Sequence, residues 1–324
     1  MNAFVIGGSG FIGSRLVSRL LGGGRSGVYI YDKNMSHQFP KITIIGDIRS
    51  QINCNELNLE GAVLFNLAAE HRDDVSPLSL YRDVNVGGAE NVCDFARESG
   101  VSKIIFTSSV AVYGFAPINT DESGLISPFN EYGKTKWEAE EIYKKWQAEM
   151  PSERTLVIIR PTVVFGEGNR GNVFNLLRKI SSKSFIMIGN GLNRKSIAYV
   201  ENVAAFLEYS MTFNPGIHIF NYVDKPDMTM NLLIQNVRHL LGKSQKINFR
   251  LPFNIALIIA FGFDIVASLT GKKFAISAIR VKKFCSNSLY ESAVDETGFI
   301  APIPILTALE RVVRFEFLEV HEGE

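Results

Sequence analysis

Tyr132 and Lys136 stand four residues apart in the run Tyr-Gly-Lys-Thr-Lys, with Ser108-Ser109 upstream. On a helix, residues at that spacing share a face. A phenol has a pKa near ~10 and is a poor base at neutral pH. An adjacent ammonium favours the phenolate and lowers that value. A serine hydroxyl can hold a substrate oxygen while the phenolate takes its proton. The pattern predicts proton transfer at a hydroxyl, with Tyr132, Lys136 and a serine of the Ser108-Ser109 pair as the catalytic set. Each piece alone is common, since many surface helices carry a tyrosine and a lysine one turn apart. Their order behind a nucleotide-binding start gives them meaning.

Several elements must position these groups. Lys103 to Thr107 is a buried apolar strand that delivers the two serines at its end. A helix opens at Tyr132 and runs through Trp137, Ala139, Ile142 and Tyr143 to about Ala148. At the start of the chain, Ala3 to Ile6 is a short apolar run, consistent with a strand buried on both faces. Gly7-Gly8-Ser9-Gly10-Phe11-Ile12-Gly13 follows, then a helix to about Leu21. A second strand, Val28 to Tyr31, ends in Asp32.

Strand, glycine turn, helix, strand and acid, in that order, predict a dinucleotide site. Gly7, Gly10 and Gly13 allow the tight turn, the approach of a pyrophosphate and close packing of helix on strand. The N–H groups at Gly10, Phe11 and Ile12 and the helix dipole suit the phosphates. Asp32 would accept hydrogen bonds from the adenosine ribose and repel a 2′-phosphate, which favours NAD over NADP. Asp47 and Ile48 follow a strand at 42–45. Leu67, Ala68 and Ala69 end the strand at 63–66, and their small side chains leave room for a flat cofactor. Both groups are therefore candidate cofactor contacts.

Composition bounds the rest. Of 324 residues, 46% are hydrophobic and 21% charged, as in packed globular proteins. Thirty-four basic and 33 acidic side chains give a net charge of +1, and no run of basic residues suggests nucleic acid. Three scattered cysteines offer no disulfide framework or metal pair. Glu70-His71-Arg72-Asp73-Asp74 holds a single histidine, so no metal site is expected there. Residues 1–6 lack the basic segment and cleavage site of a signal peptide, and a cytosolic start is expected.

The chain resembles the extended short-chain dehydrogenase/reductase family, the NAD-dependent epimerase/dehydratase group that includes nucleotide-sugar epimerases. The motifs that carry the resemblance are the 7–13 glycine run, Asp32, Gly46-Asp47-Ile48, Leu67-Ala68-Ala69, Asn85, Ser108-Ser109, Tyr132 with Lys136, and Arg160-Pro161-Thr162. The resemblance implies that Tyr132 is the base and Ser109 its hydroxyl partner. It implies that Lys136 binds the nicotinamide ribose, and that Asn85, Ser108, Pro161 and Thr162 lie on the cofactor side. It also implies an α/β fold, a Rossmann-type doubly wound parallel sheet with a smaller C-terminal substrate lobe. The NAD-binding domain is expected at 1–165, with 196–212 returning to it. The substrate lobe is expected at 166–195 and 213–324.

Longer strings resemble one bacterial branch whose members epimerise N-acetylglucosamine at C4 on undecaprenyl diphosphate for O-antigen synthesis. These are the runs at 68–77, 106–114, 170–173, 221–226 and 280–285. That likeness implies a lipid-linked amino sugar as substrate. A nucleotide-linked amino sugar, as in a soluble UDP-N-acetylglucosamine 4-epimerase, is the alternative. A non-catalytic NAD-binding scaffold is a third reading. Val110 and Ala111 occupy the places where dehydratases carry an acid pair, which disfavours dehydration. Lys195 stands where many epimerases carry an arginine on the substrate diphosphate, though lysine lacks the bidentate fork. Glu70, Asn172 and Lys195 are the candidate substrate contacts, with helix capping an equal explanation for Asn172.

One segment needs separate treatment. Residues 251–269 are long and apolar enough to approach a membrane span, but Pro252, Asn254, Gly262, Asp264 and Ser268 interrupt them. Residues 238–283 carry nine Lys/Arg and one acid, net +8, which leaves −7 for the rest of the chain. An apolar helix with basic flanks suits peripheral contact through 251–283 with an anionic membrane, on the cytoplasmic face of a bacterial inner membrane. A core helix or a homodimer face would give the same pattern.

Overall fold

A computed structural model of the chain describes residues 2–54, 56–72, 75–182, 185–247, 249–271 and 277–319. Asp73 and Asp74 of the charged loop, and Lys272 and Lys273 of the basic segment, lie outside the described residues. The strands are β1 (Ala3–Ile6), β2 (Val28–Asp32), β3 (Thr43–Ile45), β4 (Val63–Asn66), β5 (Lys103–Thr107) and β6 (Thr155–Pro161). Then come β7 (Val163–Phe165), β8 (Met187–Ile188), β9 (Arg194–Tyr199), β10 (Gly216–Tyr222), β11 (Asp224–Thr229) and β12 (Arg250–Leu251). The helices begin with α1 (Phe11–Gly22), α2 (Ser79–Arg82), α3 (Gly88–Glu98), α4 (Glu131–Ala148) and α5 (Asn172–Ser181). They continue with α6 (Val200–Tyr209), α7 (Met230–Leu240), α8 (Phe253–Thr270), α9 (Ala278–Cys285) and α10 (Ile305–Phe317).

The chain divides into two compact units: Met1–Val164 with Ala198–Val223 and Tyr290–Ile303, and Phe165–Ile197 with Asp224–Leu289 and Pro304–Glu324. In the first, seven strands form one sheet in the order β10-β6-β5-β4-β1-β2-β3. Every pair in it is parallel. Parallel strands need helical crossovers, which cover both faces, so both faces of each strand are apolar. Strand β1 shows this directly. Phe4 and Ile6 join a core with Ala96, Tyr143 and Trp146, whereas Ala3 and Val5 join one with Leu16, Leu20 and Phe206. Helices α3 and α4 thus cover one face, and α1 and α6 the other. The strand order reverses between β1 and β4, and in open sheets ligands bind outside the strand ends at that point.

The expected boundary at 213 shifts. Strand β10 pairs along its length with β6, from Gly216 opposite Thr155 to Tyr222 opposite Pro161. Phe220 and Tyr222 pack on Phe206, with ring centroids 5.4 Å away in each case. These aromatic contacts hold 213–223 to the sheet. Residues 290–303 also belong to the first unit rather than the substrate lobe. Phe299 packs on Phe206 at 5.1 Å, and the Asn202 amide bonds both backbone groups of Ile303.

In the second unit, β11 runs antiparallel to β9 and β12 parallel to β8. Phe174 of α5 stacks on Phe317 of α10, and Arg170 pairs with Glu316. Helix α8 is long and apolar enough, by length and composition, to cross a membrane. Only Ala256 and Ala260 of it are fully buried, against Ala278 and Val281 of α9. Asp264 does not interrupt α8. Its carboxylate accepts from the Ala278 N–H at 2.9 Å and so caps α9 beside the Ser277 hydroxyl.

Candidate active site

The glycine turn fits a dinucleotide. Gly7 has φ +79°, and a Cβ there would lie 2.7 Å from the Ala68 N. A Cβ on Gly13 would meet the Gly7 carbonyl oxygen at 2.2 Å. Only hydrogen fits at either place, so the ends of β1 and β4 meet around a bare backbone. Gly10 precedes α1 without a side-chain cap, and the first turn of α1 carries no acid. Its N–H groups therefore remain to receive phosphate. Asp32 ends β2 with one carboxylate oxygen accepting from Ser9 N at 3.1 Å and the other from Asn34 N at 2.9 Å. The acid is fixed against the turn. At the end of β5, the buried Thr107 hydroxyl has no hydrogen-bond partner among the described residues. A cradle without side chains, a fixed acid and an orphaned hydroxyl at the strand ends together suit NAD.

Other expected cofactor residues also make contacts within the protein. The Ile48 side chain is 7% exposed and packs at Gly88, so it is core. Arg49 donates to both Asp47 oxygens, and those bonds hold that carboxyl below its ordinary value. The Asn85 amide bonds Glu70 N at 2.9 Å, Glu70 O at 3.1 Å and the Thr135 hydroxyl at 3.0 Å, and thus ties the loop after β4 to α4. The Ser108 hydroxyl donates to Glu140 at 2.5 Å. Leu67, Ala68 and Ala69 stay half-exposed past β4. Pro161 and Thr162 are buried at the end of β6, where Thr162 N donates to the Tyr222 carbonyl at 3.0 Å.

Asn130 caps α4, its side-chain oxygen accepting from Gly133 N at 2.9 Å. This sets the first turn, where Tyr132 is half-buried and lies close enough to Ser109 for the serine to act on its phenol. Ser109 also caps the short turn after β5, accepting from Ala111 N at 3.1 Å. Burial raises the Tyr132 phenol above its usual value, and the Ser109 bond works against that rise. Lys136 is 2% exposed, with Nζ 4.4 Å from the Phe106 ring centroid. Burial lowers it to about 7, opposed by Glu140. Lys136 sits one turn from Tyr132 with its ammonium against the Phe106 ring. Both groups are desolvated, and both are shifted toward neutrality.

Sequence reasoning missed the support beneath this pair. Glu140, fully buried, receives Arg160 Nε at 2.9 Å and Nη2 at 2.6 Å besides Ser108. Arg160 also donates to the Tyr113 hydroxyl at 2.7 Å, and Tyr113 donates to Asn221 at 2.8 Å. Helix α4 is thus bolted to the ends of β5, β6 and β10. The signal was present: Tyr132, Lys136 and Glu140 repeat at four and share one face.

The candidate substrate residues are placed as follows. Glu70 is 7% exposed. Burial pushes its carboxyl up, but Arg72 and the amides of Arg72 and His71 outweigh that and hold it low. Asn172 is exposed and does not cap α5, because Gly171 occupies the cap. Lys195 donates to the Lys283 carbonyl at 2.7 Å, and burial lowers it to about 8. Among the described residues, no cluster of three His, Cys, Asp or Glu could hold a metal.

A doubly wound parallel sheet with a glycine cradle, and a tyrosine and lysine on the helix beside it, defines a Rossmann-type NAD-dependent enzyme. Residues 3–221 match the NAD dependent epimerase/dehydratase family, and the chain belongs to that family. It is 45% identical over 325 residues to the N-acetyl-alpha-D-glucosaminyl-diphospho-ditrans,octacis-undecaprenol 4-epimerase of Escherichia coli O157:H7, covering 100% of this chain and 97% of that one. It is 30% identical to a UDP-glucose 4-epimerase of Vibrio cholerae, over 82% of this chain and 84% of the relative. The fold is shared with a UDP-N-acetylglucosamine 4-epimerase from Methanobrevibacter ruminantium M1, at TM-score 0.71 and 22% identity, covering 97% of each chain.

Proposed function

We propose that the chain is an NAD-dependent sugar 4-epimerase that interconverts N-acetylglucosamine and N-acetylgalactosamine on undecaprenyl diphosphate. The observation that carries the chemistry is the placing of Tyr132 beside Ser109, with the buried Lys136 one turn further along α4. As the phenolate, favoured by the positive charges of Lys136 and of the oxidised cofactor, Tyr132 takes the proton of the sugar 4-hydroxyl, and Ser109 holds that oxygen. A bound NAD would supply reversible hydride transfer at C4, to and from either face of the sugar. Tyr132 then gives the proton back, so no cofactor is consumed. Glu140 and Arg160 hold the helix and fix the distance between base and strand end. Gly7, Gly10, Gly13 and Asp32 hold the dinucleotide. Val110 and Ala111 exchange no protons, which leaves epimerisation without dehydration.

Support for a lipid-linked donor comes from the 45% identical relative and from α8. At about 100° per residue, the packed residues of α8 (Phe253, Ala256, Leu257, Ala260, Asp264, Ala267) fill an arc of about 100°. Ile255, Ile258, Ile259, Phe261, Phe263, Ile265, Val266 and Leu269 are exposed on an arc about twice as wide. Lipid covers such an arc more readily than one protein face does. Peripheral attachment to an anionic membrane follows, with the basic residues around α8 at the headgroups. The test is to incubate the enzyme and NAD with N-acetylglucosaminyl-diphospho-undecaprenol and, separately, with UDP-N-acetylglucosamine. Epimerisation of the lipid-linked sugar is expected. Conversion of the nucleotide sugar alone would overturn the lipid-linked reading.

A further inference from the structure

The second unit holds a cavity of about 660 Å³, lined among others by Asn190, Asn193, Arg250, Phe253, Lys282 and Cys285. No carboxylate is among the described residues that line it. Arg250 is held in place, donating to the Asn190 carbonyl at 2.8 Å and to the Asn231 side chain at 3.0 Å. Asn193 donates to the Phe284 carbonyl at 2.8 Å and so anchors the end of α9 to the same wall. Lys282 sits in the last turn of α9, with its ammonium 5.9 Å from the Phe261 ring centroid on the exposed arc of α8. Pro252 and Phe253 form the opposite kind of wall, since they begin α8.

Two cations, two amides and no acid suit a polyanion, and a planar guanidinium suits phosphate oxygens in particular. An apolar wall that leads onto an exposed apolar helix suits a hydrocarbon chain. The two chemistries meet at Lys282, between the cavity and Phe261. Lys195, where the family resemblance puts the diphosphate cation, is not among the lining residues and bonds the Lys283 carbonyl instead.

We infer that this cavity seats the diphosphate of a prenyl-diphosphate ligand, with Arg250 and Lys282 on the phosphates and the first isoprenoid units on Phe253 and α8. The inference rests on the lipid-linked reading of the substrate. Arg250 and Lys282 then take the place of Lys195 as the cations that decide for a lipid carrier.

Calorimetric titration of the full-length protein with farnesyl diphosphate, inorganic diphosphate and UDP tests it. Farnesyl diphosphate should bind tightest. The R250Q/K282Q double variant should weaken it by at least about tenfold, the loss of charge-assisted bonds. Phe253→Ser should weaken farnesyl diphosphate but not inorganic diphosphate. Unchanged NAD affinity certifies folding of each variant. Should the double variant fail to fold, Lys282→Gln alone carries the test, because Lys282 is exposed. Equal farnesyl diphosphate binding by wild type and folded variant overturns the seat. UDP binding tighter than farnesyl diphosphate, and lost in the variant, overturns it in favour of a nucleotide. Turnover separates the two readings. If the wild type epimerises the lipid-linked sugar and the variant does so with unchanged KM, the seat falls and the function stands. If the wild type ignores that sugar yet binds farnesyl diphosphate through Arg250 and Lys282, the function falls and the seat stands.

Discussion

Glu140 and Arg160 form a closed pair, 0% and 2% exposed, joined by hydrogen bonds of 2.9 and 2.6 Å. The pair fastens α4 to the sheet one turn beyond Lys136. Removing one partner from a buried ion pair leaves the other charge without compensation, which costs about 3–5 kcal/mol. Glu140→Ala is expected to lose stability on that scale in urea denaturation, and Glu140→Gln less, since an acceptor remains. An alanine variant as stable as the wild type would show that the pair does not hold the helix.

Tyr132→Phe removes the phenol and leaves the ring. General-base losses run to about 10²–10⁴-fold. The variant is expected to fall in kcat by that order while its NAD affinity, read by fluorescence quenching, stays the same. Full turnover would remove Tyr132 from the proposed role.

Lys136 ties stability to pH. Its folded value, about 7, lies below that of an exposed lysine. Between the two values the unfolded chain binds more protons than the folded one, so stability rises with pH there. Below pH 7 both states are protonated and the burial penalty is present in full. Denaturation midpoints of the cofactor-free protein should therefore climb from pH 7 toward pH 10. Lys136→Met should flatten that climb, and an identical slope in the variant would rule out Lys136 as its source.

Asp32 accepts from Ser9 and Asn34 and faces the glycine turn. A hydrogen bond to a charged group is worth about 1.5–3 kcal/mol. Asp32→Ala should weaken NAD by about tenfold or more and narrow its advantage over NADP. Preference for NAD at wild-type strength in the variant would count against the ribose role.

Ile258 and Ile265 lie on the exposed arc of α8, at 72% and 62% exposure. Glutamate at both should change stability by no more than about 0.5 kcal/mol. It should nevertheless abolish co-sedimentation with vesicles containing phosphatidylglycerol. High salt should weaken wild-type binding, because the basic collar acts through screened charges. Vesicle binding by the double variant at wild-type strength would move membrane contact elsewhere.

The shared helix face of Tyr132 and Lys136, and the glycine turn, could be read from the sequence because each depends on neighbours close along the chain. Tyr132 and Lys136 need only a helix, and Gly7 to Gly13 only a strand, a turn and a helix. Ile48, Asn85 and Ser108, expected at the cofactor, also contact Gly88, Glu70 and Glu140 inside the protein. Those partners are remote in sequence for all but local contacts, so residue type alone could not assign them. Burial acts on Tyr132 and Lys136 in the same way, pushing each toward its neutral form. Spacing shows which groups share a face, and burial decides what charge they carry.

By itself the chain determined its parallel sheet, through apolar strands too short and too continuous to be anything else, and its dinucleotide turn, through glycines where no Cβ fits. Folding alone decided that β10 and 290–303 join the first unit, that Glu140 and Arg160 bolt α4 in place, and that Asp264 caps α9 and leaves α8 apolar on its outer face. Each of these depends on contacts between segments far apart along the chain, which a local pattern of residue types does not encode.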